Sequence, residues 1–125
     1  MAEHNTHTIT VQNHLPLIAL KNTVLFPKVV IPLVVQRPKS IAAMEQALAT
    51  DRLALFVTQK NIEDEISEND IFSVGTIGRV ISVFRLPDGP AKIDVEGVGR
   101  ARIVQYTSWN PYLSVQIEPV ISGAA

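Results

Sequence analysis

The chain has 125 residues, 46% of them hydrophobic and only 18% charged, with no cysteine; an ordinary soluble domain carries roughly 25% charged residues. This length holds one domain and leaves no room for two independent catalytic modules. The absence of cysteine removes disulfides, thiolate nucleophiles and Cys-based zinc sites, and a net charge of -1 without a basic stripe provides no footprint for nucleic acid or anionic lipid.

Residues 1–13 are polar, carry His4 and His7, show no apolar period and lack the features of a secretory signal, so a flexible lead-in is expected there. Leu15-Pro16-Leu17-Ile18-Ala19-Leu20 reads as a short edge strand, because proline is tolerated at an edge or a strand start. Asn22-Thr23 and Phe26-Pro27 signal a turn, the residue before proline being pushed out of helical space. Val29 to Val35 is a β-branched run in which Pro32 should remove a ladder donor, implying a bulge or an edge. The most apolar stretch, Val24 to Val35, is broken by Pro27, Lys28 and Pro32 and is too short for a helix that spans a bilayer.

Ile41, Met44, Glu45 and Leu48 repeat at helical spacing and predict one short helix, with Ser40 as its N-cap. Leu53 to Thr58 reads as a buried strand, and Asn61 to Phe72 as an acidic loop. Phe72 to Leu86 and Ala91 to Tyr106 predict a long hairpin turning at Pro87-Asp88-Gly89-Pro90. In its second arm Ile93, Val95, Gly97, Gly99, Ala101 and Ile103 share one face, and Lys92, Asp94, Glu96, Arg100 and Arg102 the other. The glycines narrow the inner face, which permits a close backbone approach or a sharp bend. Tyr112 to Pro119 supplies the last strand, so the expected fold is mainly β with one short helix, a closed or half-closed barrel of about six strands. The expected organisation is a tail over 1–13, a barrel domain over 14–120 and a cut end over 121–125.

Chemistry-bearing patterns are sparse. His4, His7 and His14 fall in or beside the polar lead-in without a scaffold for a metal, and the acidic loop lacks the order of a calcium loop. Asp94 and Glu96 share a strand face with Lys92, Arg100 and Arg102, which should pair with them rather than leave an acid/base couple. Gly75-Thr76-Ile77-Gly78 lies inside a strand, Gly97-Val98-Gly99 lacks the third glycine of a dinucleotide fingerprint, and no P-loop sequence occurs. No catalytic, cofactor-binding or metal residue is therefore expected in this chain. What remains is the apolar segment Val24, Leu25, Phe26, Pro27, Val29 and Val30, open to two readings: a plug closing one end of the barrel, or an exposed patch for unfolded chain or another subunit.

The order of motifs resembles the N-terminal domain of Lon-type ATP-dependent proteases. The matching residues are Leu15-Pro16-Leu17 with Leu20, Val24-Leu25-Phe26-Pro27, Ile31-Pro32-Leu33, Arg37 and Ser40-Ile41, with the helix through Ala47. Asp70-Ile71-Phe72-Ser73-Val74-Gly75-Thr76, Leu86-Pro87-Asp88-Gly89, Val95-Glu96-Gly97 and Arg100-Ala101-Arg102-Ile103 follow in order. Stand-alone bacterial relatives carry a Phe-Glu-x-Arg-Tyr stretch after the second strand, where this chain reads Val34-Val35-Gln36-Arg37-Pro38 and looks like the protease branch. The resemblance implies a PUA-like pseudo-barrel that recruits unfolded or damaged proteins for quality control and supports a cytoplasmic hexamer. It also implies that an AAA+ module using ATP and Mg and a serine protease with a Ser–Lys dyad lie outside this chain. Two alternatives of other classes are an RNA-binding module, disfavoured by the near-neutral charge and single Trp109, and a stand-alone oligomerisation domain.

Overall fold

A computed structural model describes residues 14–21, 23–59 and 74–120. The elements run β1 (His14–Leu20), β2 (Val30–Val35), α1 (Pro38–Ala49), β3 (Leu53–Thr58), β4 (Val74–Arg85), β5 (Ala91–Ser108) and β6 (Ser114–Pro119). Strand pairing closes a ring of five, β5-β4-β3-β1-β6 and back to β5, while β2 joins only the first half of β5. The mainly β fold is thus as expected; among the described residues there is one helix, and the six strands are divided into five in the ring and one outside it. The expected tail and cut end, and the acidic loop, lie outside the described residues.

The β4–β5 hairpin is the longest local unit. Leu86 N–H donates to the Pro90 carbonyl and Gly89 N–H to the Leu86 carbonyl, with Gly89 at φ 109. A proline at the start of the turn and a glycine at its left-handed position are what a short hairpin loop requires. The ladder is interrupted twice: by an extra Val98 on β5, since Ile77 pairs with Gly99 but Gly78 with Gly97, and by an extra Ile81 on β4, between the Val80–Val95 and Ser82–Asp94 pairs.

The Val98 bulge corrects the expectation of one continuous inner face on β5. Ala91, Ile93 and Val95 face a first core, with Phe56, Met44 and Val80. Ala101 and Ile103 belong to a second core, with Leu17, Leu55 and Val115. A single inserted residue turns every following side chain to the other face. β1 and β3 pass between the two cores, Ile18 and Phe56 pointing into the first, Leu17 and Leu55 into the second. Both strands are therefore near-continuous apolar runs, as strands covered on both faces are.

β1 is not the edge strand that Pro16 suggested. It lies between β3, to which it runs parallel, and β6. Pro16 is accommodated because the β3 pairing starts only at Leu17. The helix also begins earlier than expected: Arg37 is its N-cap and Pro38 its first residue, with Ile41 N–H donating to the Arg37 carbonyl at 2.8 Å. Proline suits that position, where its missing N–H costs nothing and its fixed φ is helical. Ser40 accordingly sits inside the first turn and is buried, not a cap. Ala43, Met44 and Ala47 dock the helix on the first core, and an exposed Glu45–Arg85 pair at 2.7 Å joins it to the hairpin end. That hydrogen bond and the Glu45 charge raise the Arg85 pKa above its ordinary value.

Candidate binding surface

The segment from Thr23 to Val29 has no regular structure, yet it is tied down along its length. Thr58 Oγ1 donates to the Thr23 carbonyl at 2.9 Å, and the buried Thr76 Oγ1 donates to the Leu25 carbonyl at 2.6 Å. Lys28 N–H donates to the Gly97 carbonyl at 2.8 Å, and Gly97 N–H to the Val29 carbonyl at 2.9 Å. Between them Phe26-Pro27-Lys28-Val29 forms a reverse turn closed from Val29 N–H to the Phe26 carbonyl at 3.3 Å, with Lys28 at φ 69. Proline at the second position is favoured in such turns, whereas the third requires positive φ and usually takes glycine.

Gly97 makes this docking possible. A Cβ there would collide with the Phe26 carbonyl oxygen, and its carbonyl carbon and Pro27 Cα would lie only 2.8 and 3.0 Å away. The close backbone approach expected from the narrow face is therefore real at Gly97, and absent at Gly99, where a Cβ would meet nothing within 4 Å.

The apolar segment divides between burial and exposure. Leu25 turns inward and joins the first core, and Pro27 is half-buried. Val24 is 47% exposed, Phe26 51%, Val29 41% and Val30 54%. A chain segment held at its carbonyls, with one side chain anchored in the core, presents its other side chains outward at little entropic cost on binding. The patch continues onto the outer face of β2-β5-β4, where exposed Val34 and Phe84 both lie opposite Lys92. Sequence reasoning picked out the loop but missed Val34 and Phe84, although both sit at outward positions of alternating strands.

The polar face of β5 is paired, but with other partners than expected. Glu96 meets Arg79 at 3.5 Å, Asp94 accepts from Ser82 at 2.8 Å, and Arg102 meets Glu118 at 3.0 Å. The partners come from β4 and β6 because side chains directly opposite on neighbouring strands lie closer than those two apart on one strand. His14 opens β1 and is exposed, while His4 and His7 lie outside the described residues. Among the described residues no three His, Cys, Asp or Glu side chains converge as metal ligands.

A family model, described as the ATP-dependent protease La (LON) substrate-binding domain, matches residues 14–123. The chain belongs to this family. It is 40% identical over 112 residues to a Lon protease of Trichlorobacter lovleyi, covering 89% of this chain and 14% of that protein. It is also 42% identical over 106 residues to a Lon protease of Halothermothrix orenii, covering 83% of this chain and 13% of that one. Among solved structures, the N-terminal domain of a Mycobacterium avium complex Lon protease superposes with a TM-score of 0.68 at 24% identity, over 90% of this chain and 57% of the other. A Lon N-terminal domain protein from Xanthomonas campestris gives 0.64 at 20% identity, over 85% and 59%. These two likenesses bear on the fold. The Lon substrate-binding domain thus accounts for almost all of this chain, and for a small part of the Lon proteases it matches. No described helix is long and apolar enough to cross a membrane.

Proposed function

We propose that this Lon substrate-binding domain recruits unfolded or damaged polypeptides to an ATP-dependent serine protease and supports its assembly as a cytoplasmic hexamer. The observation that carries the reading is the outward display of Val24, Phe26, Val29 and Val30 from a loop anchored by Leu25, Thr76 and Gly97. Folded proteins bury such side chains in their own cores, so an apolar display of this kind favours chains that have lost theirs. On this reading the Ser–Lys dyad and the ATP and Mg site belong to the rest of the parent protein. At ~25 cal/mol per Å² a few hundred Å² of apolar contact gives only several kcal/mol before association costs, so one copy binds weakly. Six copies in a ring convert weak contacts into avidity. The exposed Val34 and Phe84 on the outer sheet face support the assembly role, offering apolar surface to a neighbouring copy. Near-neutral charge does not favour RNA.

The reading is tested by titrating the domain with the unfolded and folded forms of one model protein. Preferential binding of the unfolded form is expected, weakened at least about fivefold by the Val24→Ser/Phe26→Ser pair, which removes apolar contact area without touching the core. Equal affinity for both forms would sink it.

A further inference from the structure

Beside the apolar loop lies a depression of about 270 Å³, lined by Lys28, Arg79, Glu96, Gly97 and Val98. We infer that it takes an acidic side chain of the captured polypeptide, so that the domain favours unfolded segments in which Asp or Glu stands close to apolar residues. The inference rests on the recruiting role proposed above and narrows its substrate class.

Lys28 joins the depression to the displayed side chains. It is exposed in the turn, between Phe26 and Val29 in the chain. On the strands, Val30 lies opposite Glu96 and Glu96 opposite Arg79, and residues directly opposite share a sheet face. Apolar Val30 and the ionic pair therefore stand in one row across β2, β5 and β4. An extended chain that lays an apolar side chain on Val29 or Val30 brings its next residue on the same face about 7 Å further on, a step that a long lysine side chain spans.

The charge left over at this place is positive. Arg79 meets Glu96 at 3.5 Å, with their side chains 40% and 42% exposed. A guanidinium has five N–H donors, so one such contact leaves Arg79 able to bind a second carboxylate. Among the described residues Lys28 is in no ion pair. Arg100 adds to the field from the other side of the loop. It stands opposite Thr76, whose hydroxyl holds the Leu25 carbonyl, and it is exposed and likewise in no ion pair among the described residues. The one acid of the depression is thus matched by Arg79, and Lys28 and Arg100 remain as surplus. A carboxylate placed there is attracted and a lysine or arginine repelled, which is how complementary charge adds selectivity to apolar contact.

The backbone at Lys28 points the same way. Its φ of 69 falls at the third position of the turn, where glycine is the usual occupant. Lys28 N–H bonds the Gly97 carbonyl at 2.8 Å, which holds the strained conformation and fixes the point from which the side chain leaves. Strained residues gather where a side chain has a task, and an ammonium at the rim of an acid-binding depression has one.

The test is fluorescence anisotropy of the 125-residue chain with three labelled, end-capped peptides that share one apolar core, Leu-Val-Phe, flanked by two Glu, two Gln or two Lys. At low salt the acidic peptide should bind about three- to fivefold more tightly than the neutral one, the worth of a half-exposed ion pair, and the basic one more weakly still. Raising the salt to about 0.5 M should bring the three together. Lys28→Gln should bring the acidic peptide down to the neutral one, and Lys28→Glu should invert the order. Arg85→Gln, the same loss of charge at the far end of the hairpin, should leave all three as they are. Equal affinity for acidic and basic peptides, with the Val24→Ser/Phe26→Ser pair still weakening both, would overturn this inference and leave the recruiting role standing. So would a charge order that Lys28→Gln does not change. Affinities that the Val24→Ser/Phe26→Ser pair leaves untouched, or no binding at all, would overturn the recruiting role and this inference with it.

Discussion

Gly97 and Lys28 decide how the apolar loop is held, and they do so through backbone geometry. Gly97→Ala forces the Phe26 carbonyl away and disrupts the paired bonds to Lys28 and Val29, so a loss of about 2 kcal/mol or more is expected in chemical denaturation. Gly99→Ala, two residues on, meets open space and should change stability by less than about 0.5 kcal/mol. Similar losses for the two would refute the role assigned to Gly97. Lys28 sits at φ 69, a conformation that costs a residue with a Cβ about 1 kcal/mol relative to glycine. Lys28→Gly is therefore expected to stabilise the domain by up to about that amount, read as a rise in the denaturation midpoint, with binding of unfolded protein retained. The glycine spacing was visible in the sequence as a narrow inner face. Which of the two glycines a backbone approaches was not, because Phe26 lies far away along the chain.

At the scale of elements, β2 shows how a proline can guard an edge. Pro32 lies opposite Asp94 at a position that does not bond to β5, so its missing N–H faces the open side. It removes no ladder bond, contrary to what its place in a β-branched run suggested, and withholds one donor from any strand that approaches the edge. Pro32→Thr should leave stability within about 0.5 kcal/mol of the parent while making self-association depend on concentration. A variant that sediments as the parent does at every concentration would remove the guarding role. Helix, hairpin and buried strand were all legible, because apolar period, turn residues and β-branched content are local signals. Serine is a good cap in general, but Pro38 is the stronger local determinant and sets the N-cap of α1 at Arg37, three residues before Ser40.

For the whole molecule, the consequence of a five-strand ring with a bulged β5 is two cores sharing β1 and β3. Phe56 is the largest fully buried side chain among the described residues, and Gly78 leaves space for its ring. Phe56→Ala should cost about 3–5 kcal/mol by leaving a cavity that the rigid strands around it cannot close. Arg85→Gln, which breaks the solvent-exposed pair with Glu45, should shift the denaturation midpoint far less, because water and salt screen such a pair. Parallel urea titrations of the two variants check both expectations, and comparable losses would contradict this division between core and surface.

The sequence by itself determined the kinds of element, their order, the family and the absence of any P-loop sequence, since each depends on residues near one another in the chain. Tertiary structure alone decided that β1 is central, that β5 serves two cores, and that Leu25 is buried while Val24, Phe26, Val29 and Val30 are displayed. The physical reason is that alternation and turn chemistry specify which side chains share a face. What covers that face, and which strand edge finds a partner, depends on pairings between segments many residues apart.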